Sequence, residues 1–152
     1  MRRAEPDHIS GVTASPDSKT AVLLYDGACG FCAGSVQLIL RLEPESARAR
    51  LQFAPLQGAF GTALAARFPE LRQVDSVVWY DPSAQRVQLR SAAGLRVARH
   101  LGGLWSVLGV LGSVVPRPLR DAIYDGIARR RLALAAPACL LPTPEQRARF
   151  LD

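Results

Sequence analysis

Cysteine is scarce in this sequence and lysine is almost missing. Three cysteines occur in 152 residues, a thin and odd-numbered set. A secreted domain stapled by disulfides carries a denser, even set, so this chain is not held together that way. A domain of this length buries roughly 68–70% of the surface its unfolded chain exposes, and it needs neither staples nor a metal to fold. Among the 19 basic residues only Lys19 is a lysine. An arginine- and alanine-rich, lysine-poor composition reflects genome composition as readily as selection for a basic surface. The net charge of +6 and the pI near 10.0 therefore do not by themselves indicate a polyanionic partner. Apart from Arg129, Arg130 and Arg131 the arginines are scattered, and aromatic residues do not interleave with them. No specific nucleic-acid partner is expected. Long apolar runs are absent as well. The longest uncharged stretch, Leu101 to Pro116, has 16 residues and four glycines. That is short of the ~20 a membrane span needs, so no transmembrane segment is expected and the stretch should pack over the core. Met1-Arg2-Arg3 leads into polar residues with no apolar signal region, which points to a reducing, cytoplasmic compartment.

What is present is a regular alternation of strand-like and helix-like segments. Residues 1–20 read as a disordered leader, with Pro6, Gly11, Pro16 and Ser18 and little apolar content. Residues 21–152 read as one domain. Ala21 to Tyr25 is a continuous apolar run, as a strand buried on both faces requires. Val36, Ile39 and Leu40 repeat at helical spacing up to Leu42, and Glu43-Pro44 ends that helix because the residue before proline is pushed out of the α region. A second strand is predicted over 51–54, a helix over about 57–68, a third strand over 76–80 and an alternating hairpin partner over 86–90. Ser91 is read as the N-cap of a further helix carrying His100, a histidine expected to be structural. The order β-α-β-α-β-β-α defines an α/β, thioredoxin-like core. An added C-terminal helical region follows, with helices over 104–115 and from Pro116 onward. Thr143-Pro144-Glu145-Gln146 predicts a capping box at a short last helix.

Cys29 and Cys32 stand at CxxC spacing where the first strand turns into the first helix. A cysteine at a helix N-terminus faces the positive end of the helix dipole and free N–H groups. Both favour the thiolate, which is the nucleophile of disulfide exchange. Cys32, one turn further in, is placed to resolve a mixed disulfide at Cys29. This reading calls for a dithiol/disulfide pair and no other cofactor. Its partners would be a disulfide-containing protein or small molecule and an electron donor the sequence does not name. Asp26 precedes Cys29 by three residues. Its carboxylate either takes a proton from Cys32 or makes an Asx-type turn, and the turn is favoured. Gly27, Gly30 and Phe31 complete the loop as supporting residues.

Two other readings compete. Cys29, Cys32 and Cys139 could hold a metal or cluster. A closed structural site needs four ligands, however, and beyond the pair the chain offers only Cys139, His100 and His8. No metal is expected, and Cys139 is read as a buried apolar thiol or a third redox group, with the buried role favoured. The other rival is a non-catalytic interaction module docking through 101–115.

Tyr25-Asp26-Gly27-Ala28-Cys29-Gly30-Phe31-Cys32 resembles the signature of the DCC family, named for its Asp-x-x-Cys-x-x-Cys pattern. The resemblance continues through Phe53 to Gln57, Asp75 to Val78, Ser91 to Ala93, Leu101 to Trp105, Arg120 to Asp125 and Cys139 to Pro142. It covers about residues 21–152 and implies a thioredoxin-like fold and thiol–disulfide oxidoreductase activity. Two departures stand out. Arg130-Arg131-Leu132 replaces the family's late Asn-Arg-Tyr. Val74-Asp75-Ser76 occupies the point where thioredoxins carry a cis-proline.

Overall fold

The computed structural model describes residues 18–134 and 142–151. Its elements run β1 (Ala21–Tyr25), α1 (Gly30–Leu42), α2 (Glu45–Arg48), β2 (Leu51–Pro55), α3 (Ala59–Arg67), a 3-10 turn (Pro69–Gln73), β3 (Val78–Asp81), β4 (Arg86–Leu89), α4 (Arg90–Leu101), α5 (Gly103–Val114), α6 (Arg117–Leu134) and α7 (Pro144–Arg147). The four strands form one mixed sheet in the order β2-β1-β3-β4. β1 and β2 are parallel, while β3 runs antiparallel to β1 and β4 antiparallel to β3. This is a thioredoxin-like α/β core followed by C-terminal helices.

The sheet is buried on both faces, and successive side chains alternate between them. Leu23, Tyr25, Leu51, Phe53 and Trp79 join Val36, Ile39 and Leu40 of α1 and Ala93 and Leu101 of α4. Val22, Leu24, Ala54, Val78 and Tyr80 join Leu64 of α3 and Leu71 of the 3-10 turn on the other side. Val22, Leu23 and Leu24 are fully buried, which is why the β1 run shows no polar alternation.

The C-terminal segment closes the β2 edge. Phe53 N donates to Arg149 O at 2.8 Å, and Leu151 N donates to Phe53 O at 2.7 Å, a parallel bridge between Phe53 and Phe150. Phe150 stacks on Phe53 with ring centres 5.2 Å apart, and Leu151 reaches the opposite core. Beneath this edge lies a buried ionic cluster. Glu43, at the C-cap of α1, accepts from Arg149 through both carboxylate oxygens. His100 Nε2 lies 3.2 Å from Glu43 Oε2 and must donate, because a carboxylate offers only acceptors. Arg149 also donates to Leu51 O at 3.0 and 3.1 Å. His100 is thus a structural histidine, as expected. Burial would raise the Glu43 carboxyl, but the hydrogen bonds from His100 and Arg149 and the Arg149 charge outweigh it and hold the group below its ordinary range.

Several expected boundaries shift. α2 fits between Pro44 and β2, a segment for which the sequence pattern predicts no element. β3 starts at Val78 rather than at 76 and extends to Asp81. Ser91 is not an N-cap: the cap is Leu89, Arg90 enters the helix at φ 52, and Ser91 lies inside α4. Its hydroxyl donates to Asp121 and accepts from Arg120 Nε at 2.9 Å, so it ties α4 to α6 instead of closing a helix end. Of the 101–115 stretch, Leu101 ends α4 in the core, but Gly103–Val114 forms α5 and lies largely outside it. Leu104, Val107, Leu111 and Val114 are more than half exposed. Only a narrow side meets α4, where Gly109 and Gly112 face Ala98 and Leu95 and let the backbones approach. No helix among the described residues is long and apolar enough to cross a membrane. The expected capping box is formed, with Gln146 N donating to Thr143 Oγ1 and Thr143 N donating to the Gln146 side chain.

Candidate active site

Parallel pairing of β1 and β2 brings their carboxyl ends together, at Tyr25 and Pro55. The chain leaves β1 through Asp26, Gly27 and Ala28 and enters α1 at Cys29, which is the N-cap with extended backbone angles (φ −97°, ψ 112°). Cys29 O accepts the first bond of the helix, from Ala33 N at 3.0 Å. The Cys29 side chain makes no capping hydrogen bond, and no acidic residue lies in the first turn. A negatively charged sulfur at this position would therefore meet the positive end of the helix with no side-chain competitor.

Cys29 and Cys32 are not joined in a disulfide, and their exposures differ. Cys29 is partly buried, whereas Cys32 is 2% exposed and packs with Val36, Tyr25 and Phe53 in the core beneath α1. Cys29 thus stands at the mouth of the helix and Cys32 at its third residue, within the first turn. Gly30 opens α1 and Phe31 follows it, both partly buried, while Gly27 is exposed. Cys139 lies outside the described residues. Among the described residues no group of three His, Cys, Asp or Glu side chains is arranged to hold a metal ion.

Asp26 makes the Asx turn considered from sequence. Its Oδ1 accepts from Ala28 N at 3.0 Å, and its carbonyl accepts from Cys29 N at 3.1 Å. The same Oδ1 also accepts from Gln57 Nε2 at 2.8 Å, while Gln57 Oε1 accepts from Gly27 N at 3.1 Å. One amide thus clasps the loop that leads into Cys29. Gln57 stands just past β2, where Leu56 N donates to Tyr25 O at 2.8 Å and carries the strand pairing one residue further. Sequence reading included Gln57 only inside a resemblance block and assigned it no part in the loop. It lies 31 positions from Asp26, and no local pattern signals the contact.

Gly61 holds this second segment close. A side-chain carbon at Gly61 would lie 2.4 Å from Leu56 O and 2.6 Å from Pro55 O. The first turn of α3 therefore sits directly on the backbone that presents Gln57, an approach only glycine permits.

Comparison with known proteins gives a family match over most of the chain. The family model described as DCC1-like thiol-disulfide oxidoreductase matches residues 23–136. An uncharacterized protein of Bacillus subtilis, YuxK, is 37% identical over 134 residues, covering 86% of this chain and 93% of that protein. A chloroplastic DCC family protein of Arabidopsis thaliana is 25% identical over 121 residues, covering 78% of this chain and 66% of the relative. No solved structure matches.

Proposed function

The chain belongs to the DCC1-like thiol-disulfide oxidoreductase family, and from that premise we propose that Cys29 is the attacking thiol and Cys32 the resolving one. The observation that carries the assignment is the asymmetry of the pair: Cys29 is an uncapped helix N-cap with partial exposure, and Cys32 is sealed one turn inside. Thiolate sulfur at Cys29 attacks one sulfur of a substrate disulfide. The substrate S–S bond breaks, a Cys29–substrate bond forms, and the other substrate sulfur leaves as a thiolate. Cys32 then gives up its proton to the substrate thiolate already released and attacks Cys29 Sγ, releasing the second substrate thiolate. The substrate gains two electrons and the protein is left with a Cys29–Cys32 disulfide. A donor dithiol returns it to the reduced state by the same exchange in reverse. No further cofactor enters, and Cys139 has no step in this scheme.

The substrates are disulfide-bearing proteins or small molecules, and the setting is a reducing, cytoplasmic one. In this scheme Asp26, held by Ala28 N and Gln57, shapes the approach to Cys29 rather than shuttling a proton.

Trapping with single variants tests the order of attack. Cys32→Ser should accumulate a mixed disulfide at Cys29 when mixed with a disulfide substrate, and Cys29→Ser should trap little. Iodoacetamide mapping of the reduced protein should label Cys29 ahead of Cys32. Equal trapping by both variants, or faster labelling of Cys32, would reverse the assignment.

A further inference from the structure

At the end of the sheet opposite Cys29 lies a surface cavity of about 310 Å³. It sits where β1 begins and β3 ends, at Ala21 and Asp81, and the second half of α4 forms one wall. Five strand residues at about 3.3 Å each separate it from the Asp26 loop, so it is not part of the thiol site.

The charge on its walls is one-sided. Lys19, Arg50 and Arg99 all line it, and none of the three has an ion-pair partner among the described residues. Arg96 is a fourth cation, with its charge set against Asp81 and its Nε donating to Gln88 at 2.8 Å. Asp81, the carboxylate on the rim, is turned into its own hairpin: its Oδ1 accepts from Ser83 N, Ser83 Oγ and Ala84 N. Three positive charges without an ion-pair partner among the described residues therefore line one small cavity; solvent and salt screen them from one another, and a ligand of more than one negative charge gains attraction from all three. A phosphomonoester carries about −1.5 to −2 at neutral pH, and guanidinium forks match its oxygens in pairs. The volume sits at the lower end of small-molecule sites, about 300–1,000 Å³, and exceeds what a bare phosphate fills. The edge of Trp79, a nearly buried ring, and the partly buried Ala21 also line the cavity and give it a small apolar part.

We propose that this cavity binds a small molecule bearing a phosphomonoester, at a site separate from the thiol pair. Calorimetric titration of the full chain at constant ionic strength tests it, with inorganic phosphate and glycerol phosphate as the probes. Saturable binding at one site is expected, tighter for glycerol phosphate than for inorganic phosphate. Arg50→Gln/Arg99→Gln should weaken both by about tenfold, since both arginines are exposed and solvent screens their contacts to a ligand. Both arginines are exposed and unpaired, so this variant keeps its fold. Arg129→Gln/Arg130→Gln removes the same charge from α6 and should leave affinity unchanged. Equal weakening by the two double variants would show general attraction to a basic surface, and absence of saturation below about 10 mM would show no site; either result overturns the proposal.

Discussion

Replacing Arg149 with methionine strips one partner from a carboxylate that has no exposed side-chain surface. The Glu43 side chain is 0% exposed and that of Arg149 15%. The substitution removes two charge-assisted bonds to Glu43 and two donors from Leu51 O, and it leaves His100 as the carboxylate's remaining partner in the cluster. Breaking a buried pair from one side costs about 3–5 kcal/mol, because the surviving charge stays desolvated. Methionine keeps part of the packing over Phe53, where the Arg149 guanidinium lies 5.1 Å from the ring centre, so the lower half of that range is expected. At about 2–4 °C per kcal/mol for a domain of this size, the melting midpoint should fall by about 10 °C. The pH dependence identifies the cause. In the native protein the folded-state carboxyl lies below the ordinary glutamate value of 4.5. Its contribution is therefore complete above that value and is lost as pH falls through the folded-state value. In the variant, burial dominates and pushes the carboxyl above 4.5, so the penalty is full at neutral pH and fades on acidification. Urea unfolding followed by circular dichroism at about pH 7 and about pH 4 should show a larger loss at the higher pH. Glu43→Gln/Arg149→Met should recover part of the loss. A loss below about 1 kcal/mol at pH 7, or an equal loss at both pH values, would refute the reasoning.

Gln57→Leu should leave Gly27 N and Asp26 Oδ1 without their clasp. The expected result is a fall in disulfide-reductase kcat of about tenfold with about 1 kcal/mol of stability lost, because a misplaced reacting group costs rate before it costs fold. Gln57→Glu keeps the acceptor for Gly27 N but sets a carboxylate against Asp26, so its activity relative to the native protein should improve as pH falls toward the carboxylate range; a flat ratio would exclude the clasp as the cause. Gly61→Ala forces a carbon onto Leu56 O and Pro55 O. It should cost about 1–3 kcal/mol by chemical denaturation and slow alkylation of Cys29 by displacing the segment that carries Gln57.

Much of the core was legible in local pattern, because strand and helix record their burial along the chain. The unbroken apolar run of β1 announced a strand covered on both faces, the 3.6 spacing of Val36, Ile39 and Leu40 announced α1, and Pro44 marked its end for steric reasons. The position of Cys29 at the start of α1 followed from the same signals, and so did the Thr143 capping box, since all their partners lie within a few residues. Ser91 shows where local signals fail. A serine before a helical run reads as an N-cap, yet Arg120 and Asp121, some thirty residues away, claim its hydroxyl. α5 fails differently: composition marks it as apolar, but only the placement of α4 decides that one glycine-bearing side is covered and the rest faces out. The Gln57 clasp, the Glu43–His100–Arg149 cluster and the ring of cations around Ala21 join residues tens of positions apart. Sequence by itself determined all four strands, the longer helices and where the thiol pair stands on them, because hydrophobic period and proline chemistry act over a few residues. Tertiary structure alone decided which polar groups meet, because a hydrogen bond or an ion pair depends on ångström distances between segments that no local pattern encodes.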